Sequence, residues 1–383
     1  MFDPLRSRWA AMALAMVVPV VPAAAARYLV FVGTYDGPRS EGIYAYRYDS
    51  GSGVIEELGL AAKTPSPSFL ALHPNGRFLY AANESGVPGV GPGGAVTAFE
   101  IDTGAGRLRE LNRVATVGEW PCHLVVDATG HQVLAANYGG GSVVSFGLES
   151  DGRLGARSGF HQHTGSSVNA ARQKGPHAHS INLSPDNRFA LVSDLGLDRV
   201  FSYPFDPARG LAKPALAAVP VVAPGSGPRH LSFHPTGRFA YGINEMLSTI
   251  HVYRYAPEKG RLETIQTVST LPPSFTGEST TAEVVVHPSG RFVYGSNRGH
   301  DSLAIFSVDG KTGHLTRVGN ESTGGRTPRN FNVDPEGRTL WAANQGTDNV
   351  VVFRVDAGTG RLERTGQELK VGSPVCVKFL RLQ

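Results

Sequence analysis

The sequence predicts an all-β fold: a seven-bladed β-propeller of four-stranded blades, its ring closed by the C-terminal strand joining the N-terminal blade. Three observations predict it. A strand–turn–strand unit recurs with a period of about 45 to 50 residues, the spacing of propellers and solenoids. Each end of the chain carries an incomplete unit, and the two parts are complementary. No capped helical stripe appears in the body of the chain.

The unit is clearest at residues 225–245. There an apolar strand from Pro228 runs into the turn His234-Pro235-Thr236-Gly237, and a second apolar strand from Phe239 ends in the polar pair Asn244-Glu245. Other copies open at Pro67, Pro121, Pro176, Ala282 and Pro328, and end in Asn83-Glu84, Asn137-Tyr138, Asp194-Leu195, Asn297-Arg298 and Asn344-Gln345. A seventh opening strand begins at Pro374 and stops at the C-terminus, whereas Tyr28 to Thr34 is a second strand lacking a first. Pairing the tail with the head completes the ring and leaves no open edge. Third strands alternate with period two, as in Ser248 to Tyr255 and Ser302 to Ser307, and a fourth follows turns such as Asp102 to Leu108.

Residues 1–26 read as a targeting segment outside the fold, with residues 27–383 as one domain. Arg6 and Arg8 form a basic head, Trp9 to Val21 an apolar run too short to span a bilayer, and Ala24-Ala25-Ala26 a small-residue cleavage site. The expected product is exported, periplasmic or secreted, with no membrane attachment after cleavage. The 47 glycines and 26 prolines are accounted for by turns. The net charge of +4 falls to +3 without the leader, which holds two arginines and one aspartate, and no Lys/Arg run exists, so no nucleic-acid partner is expected. Cys122 and Cys376 fall in blades that are not neighbours, which predicts two free thiols. A ring this large buries its core without staples.

Function is argued from topology. The starts of first strands, the ends of second strands and the loops between blades gather at one mouth of the central channel. The openings supply His177, Arg229, Arg329 and Cys122; the returns supply Glu84, Tyr138, Asp194, Asn244, Glu245, Asn297, Arg298 and Gln345; a loop adds Arg172. Arginines with a few carboxylates and a histidine make a receptor for an anionic small molecule, because a guanidinium fork matches carboxylate or phosphate. The recurrent asparagines at 83, 137, 244, 297 and 344 suit turns. Arg77, Arg188, Arg238, Arg291 and Arg338 share one repeat position and are read as structural, and the His-Pro pairs at His73, His234 and His287 lie at the opposite turn with no catalytic role. Arg229, Glu245 and Arg298 depart from the repeat, which points to function. His161, His163, His177 and His179 have the spacing of metal-ligand pairs, yet no acidic third ligand accompanies them. No metal and no cofactor are expected.

Phe31-Val32-Gly33-Thr34-Tyr35, Pro176-His177-Ala178-His179-Ser180, Asp194-Leu195-Gly196-Leu197-Asp198-Arg199, Gly227-Pro228-Arg229-His230, Asn244-Glu245 and Asn297-Arg298-Gly299-His300-Asp301-Ser302 occur in order. The whole chain after the leader thereby resembles the propeller lactonase family, which includes seven-bladed bacterial 6-phosphogluconolactonases and fungal carboxy-muconate cyclases. The resemblance implies a His, Arg, Glu, Arg constellation at the mouth, falling on His177 or His179, Arg229, Glu245 and Arg298. Catalysis is accordingly assigned to His177, Glu245, Arg229 and Arg298, and substrate binding to Arg172, His179, Asp194, Arg329, Glu84 and Asn297. One of His177 and Glu245 would activate water and the other would protonate the leaving alkoxide. A lactonising cyclase and a non-catalytic binding module are the competing readings, and the number of copies that assemble is left open.

Overall fold

The computed structural model describes residues 26–86, 90–91, 93–214 and 222–382. Seven four-stranded antiparallel sheets are present. The expected leader lies outside the described residues up to Ala25, while Ala26 already belongs to the fold, its N–H donating to Ser50 Oγ at 3.0 Å.

Blade one is built from both chain ends: β1 (Arg27–Thr34), β2 (Gly42–Asp49) and β3 (Ile55–Lys63) follow β28 (Pro374–Arg381), in the sheet order β28-β1-β2-β3. Register runs from Tyr28 opposite Arg381 to Gly33 opposite Cys376. Closure is sealed by rings: Trp341 of blade seven stands 5.4 Å, centroid to centroid, from both Tyr48 and Phe379 of blade one. Trp341 and Tyr28 are fully buried, so this seam combines apolar burial with edge-to-face packing.

The innermost strands of the other blades are β4 (Pro67–Leu72), β8 (Pro121–Val126), β12 (Ala178–Leu183), β16 (Pro228–Phe233), β20 (Thr280–Val286) and β24 (Pro328–Val333). Each pairs with a second strand whose last residues return to the mouth: β5 (Phe78–Asn83), β9 (Gln132–Asn137), β13 (Phe189–Asp194), β17 (Phe239–Asn244), β21 (Phe292–Arg298) and β25 (Thr339–Asn344).

The opposite turns join blade to blade. Nε2 of His73, His234 and His287 donates to the carbonyls of Gly130, Gly290 and Gly337 in the next blade, at 3.0, 2.9 and 2.9 Å. Backbone N–H groups two residues on donate to the Nδ1 atoms, which leaves the proton on Nε2. The ring lies so close that a Cβ on Gly337, where φ is +75°, would stand 2.4 Å from it. These histidines are inter-blade ties.

Asn297 requires a correction. It is fully buried, its amide donates to Thr270 O and Ser302 Oγ at 3.2 Å, and it accepts from Thr270 Oγ1 at 2.6 Å. Its side chain is engaged within the fold. Cys122 and Cys376 are free and buried in blades three and one, as expected.

Candidate active site

A β-bulge near the start of every inner strand organises the site. In β4, β8, β12, β16 and β24 the register slips by one across Ser68, Cys122, His179, Arg229 and Arg329, and in β28 across Val375. Bulges re-aim side chains, and these six residues line a common recess. Beneath them Phe69, His123, His230, Glu283 and Asn330 fill the channel. The rings of His123 and His230 stand 5.1 Å apart, and Phe69 is 4.1 Å from His123. Above them, the residue following each second strand accepts a fixed place. Tyr35, Glu84, Tyr138, Glu245 and Gln345 donate their N–H to the residue ahead of the inner strand, at 2.7–3.1 Å.

Register also locates the histidines. Ala178 pairs with Asp194 as Pro228 pairs with Asn244, so Ala178, not Pro176, is the equivalent of the opening proline. His179 therefore matches Arg229 and faces the recess, while His177 stands one step ahead of the strand at the rim. Sequence alignment on Pro176 had set His177 opposite Arg229, an offset that the extra residues before β12 created.

Glu245 is the electrostatic centre. Its Oε1 accepts from Arg172 at 2.7 Å, and its Oε2 from Arg229 and Arg298, both at 3.0 Å. Burial alone would raise its pKa, but Arg298, Arg229 and Arg172 overcome that and hold it down to about 2. Burial, with help from Arg229 and Arg329 against the pull of Glu245, lowers Arg298 to about 10. Arg298 Nη2 also donates to Thr281 O at 2.7 Å, while its buried Nε has no hydrogen-bond partner.

Arg229 is held on two sides. Besides Glu245, its Nη1 donates to Ala282 O at 2.7 Å and to His230 Nε2 at 3.2 Å. That acceptor role requires the His230 proton on Nδ1, where it is donated to Glu283 Oε1 at 2.9 Å. Glu283 in turn accepts from Asn330 Nδ2 at 2.5 Å and Val284 N at 3.0 Å. The strand carrying Arg229 is anchored by Asp198, whose carboxylate accepts from Gly225 N and Gly227 N at 2.7 Å.

His177 Nδ1 lies 2.9 Å from the Tyr138 carbonyl. A carbonyl only accepts, so in the neutral ring Nδ1 carries the proton and Nε2 presents a lone pair. The imidazole stacks on Tyr138 at 4.6 Å, and the Tyr138 hydroxyl meets Arg172 at 3.3 Å. His179 is buried, and burial together with Arg229 and His230 pushes its pKa well below the ordinary value. Arg329 lies over the Tyr35 ring at 5.2 Å, and Tyr35 donates to Glu84 Oε2 at 2.7 Å. Glu84 and Glu245 lie close enough to favour the charge of Arg329. The recess lined by Tyr35, Glu84, Cys122, His179, Arg229 and Arg329 has about 10 Å³ of free space, close to the need of one water.

The assigned residues thus divide. Arg172, His177, Glu245, Arg229 and Arg298 form one connected set with Tyr138, and His179, Arg329 and Glu84 line the recess beneath. Asp194 is corrected: it is fully buried, its Oδ1 accepting from His177 N at 2.9 Å and Leu197 N at 3.1 Å, its Oδ2 bound to His163 Nδ1 at 2.5 Å. It anchors the backbone of His177, and its oxygens are taken up by bonds within the fold. His163 is spent between Asp194 and Tyr203, and no group of three or more metal-binding side chains occurs among the described residues. Sequence reasoning missed Tyr35, His230 and Glu283. For His230 and Glu283 the one signal was a polar residue at an inner-strand position that is Phe69 or Cys376 in other blades; Tyr35 holds the position after β1 that Glu84 and Glu245 hold after β5 and β17.

Comparison with known proteins bears on the family and the fold. Residues 29–379 match the family described as lactonase, 7-bladed beta-propeller. A 6-phosphogluconolactonase of Bacillus subtilis is 38% identical over 354 residues, covering 92% of this chain and 99% of the relative. A second, from Formosa agariphila, is 35% identical over 79% of this chain and 85% of its own. The solved structure of the periplasmic gluconolactonase of Pseudomonas aeruginosa superposes with a TM-score of 0.86 at 36% identity, covering 92% of this chain and 99% of that one. On the matched span, the closed ring and these relatives, the chain belongs to the seven-bladed β-propeller lactonase family.

Proposed function

We propose that this lactonase is exported and hydrolyses an anionic sugar lactone of the aldonolactone class at the arginine-lined mouth. The observation that carries the reading is charge: among the described residues the four guanidinium groups of Arg172, Arg229, Arg298 and Arg329 have three carboxylates acting on them, Glu245, Glu283 and Glu84, which leaves cationic capacity for a ligand. Export is supported by the basic head and apolar run of the first 26 residues, and by the periplasmic relative in Pseudomonas aeruginosa.

In the proposed reaction His177 Nε2 takes a proton from water as the water oxygen bonds to the lactone carbonyl carbon. Negative charge develops on the carbonyl oxygen, where Arg229 and Arg298 stabilise it. Collapse breaks the ring C–O bond, and the imidazolium returns its proton to the leaving alkoxide. Glu245 serves differently from the sequence expectation. A carboxylate held near 2 is a weak proton acceptor, and its three ion pairs suit it to orienting guanidinium groups.

The test is hydrolysis of 6-phosphogluconolactone and plain gluconolactone by the purified protein and its His177→Ala variant. A fall in kcat of about 10²- to 10⁴-fold, with the fold intact by circular dichroism, is expected for loss of a general base. Wild-type rates in that variant would remove His177 from the mechanism, and inactivity of the parent on every lactone would remove the function.

A further inference from the structure

The geometry points to Trp120 as a stacking platform for the C–H face of the sugar ring, and so as a specificity-determining residue of this mouth. The inference rests on the lactonase reading. It starts from the repeat: Trp120 precedes Pro121 as Ser66, Gly227, Thr327 and Ser373 precede their opening prolines. All five have left-handed backbone, with φ of +55°, +35°, +63°, +58° and +43° in that order. Three of the others are glycine or serine, and the fourth, Thr327, is a β-branched residue that also resists this backbone. Trp120 is the bulkiest of the five, a side chain in a conformation that bulky residues avoid.

Contacts among the described residues repay that choice only in part. The indole is 52% exposed, whereas Trp341 is fully buried. The backbone beneath is nevertheless firmly held: Trp120 N donates to Gly93 O at 2.7 Å, Tyr138 N to Trp120 O at 2.9 Å, and Gly139 N to Glu119 O at 2.9 Å. Strain kept in place by surrounding bonds is a mark of functional positions.

Its place is also informative. His177 precedes β12 as Trp120 precedes β8, so the two hold equivalent positions in adjacent blades. The indole covers Gly139, where a Cβ would stand 3.0 Å from Trp120 Cδ2, beside the Tyr138 that stacks on His177. Two residues further on, Cys122 lines the recess. A ligand whose charged group meets the arginines lies next to a broad, rigid apolar face. A sugar ring offers such a face in its C–H bonds; a bare anion does not.

Fluorescence tests this directly. Titration with D-gluconate is expected to change the tryptophan emission of the parent protein but not of Trp120→Phe, and inorganic phosphate is expected to leave both unchanged. For Trp120→Ala, KM and the gluconate Kd rise about tenfold, the worth of one aromatic contact, with kcat within twofold. Trp120→Phe restores most of the loss. Trp120→Gly melts no lower than the parent, because glycine accepts the left-handed backbone. An unchanged gluconate Kd in Trp120→Ala by calorimetry, or emission blind to gluconate at saturation, overturns the proposal. Lactone inactivity of the parent would end the lactonase reading alone, since gluconate binding still judges Trp120.

Discussion

His230 hands its Nδ1 proton to Glu283 across 2.9 Å, and this single bond decides which nitrogen faces Arg229. Glu283 is an acceptor to three donors, His230, Val284 N and Asn330 Nδ2. Burial would raise its pKa, and His230 and Lys378 bring it below its ordinary value, so it stays charged and fixes the tautomer.

Glu283→Gln is therefore expected to be costly despite its equal size. An amide satisfies His230 and Val284 only by turning its NH₂ onto the NH₂ of Asn330. The expected loss is about 1 to 3 kcal/mol of stability, the cost of an unsatisfied buried group, together with weaker activity as Arg229 loses its support. Adding Asn330→Asp supplies an acceptor and restores most of both. Chemical denaturation and steady-state kinetics of the two variants check this.

Acid stability follows from Glu245. Its folded pKa of about 2 lies below the ordinary 4.5, so its contribution is complete above about 4.5 and disappears as pH falls through 2. The shift corresponds to roughly 3 kcal/mol. Denaturation between pH 5 and 2 is expected to show the parent losing more stability than Glu245→Gln, which is weaker at neutral pH because three arginines lose their shared anion.

The inter-blade ties give a purely structural control. His287→Ala leaves the Gly337 carbonyl without its donor and is expected to lose about 1 to 3 kcal/mol with unchanged kcat/KM. Gly337→Ala is expected to be at least as damaging, since its Cβ would strike the ring. Thermal melts and lactone assays on both variants distinguish this from a catalytic role.

Thiol chemistry checks the burial of the recess. Burial, reinforced by Glu84, raises the Cys122 thiol, and burial pushes Cys376 up to about 11. Both are expected to resist a disulfide reagent in the native protein and to react fully, as two thiols, after unfolding.

The ring was legible because each blade repeats a strand, a turn and a polar return, and because the Pro374 strand lacked the partner that Tyr28 to Thr34 also lacked. Arg229, Glu245 and Arg298 were legible as departures from that repeat. The bulge was not. It adds one residue without changing composition, so alternation along the strand hides that Arg229 and His230 both serve the channel. Asp194 and Asn297 were misread for a related reason: a polar strand end near a mouth looks the same in sequence whether it faces solvent or accepts bonds from its own backbone.

The pairing of β1 with β28 carries a consequence for biogenesis. Eight residues at the end of the chain cover the edge of a sheet begun by its first folded strand. That edge stays uncovered until β28 has been made and docks, and the loop then closed is long and slow to form. A delay of this kind would keep the chain threadable until β28 docks, which suits the export proposed above.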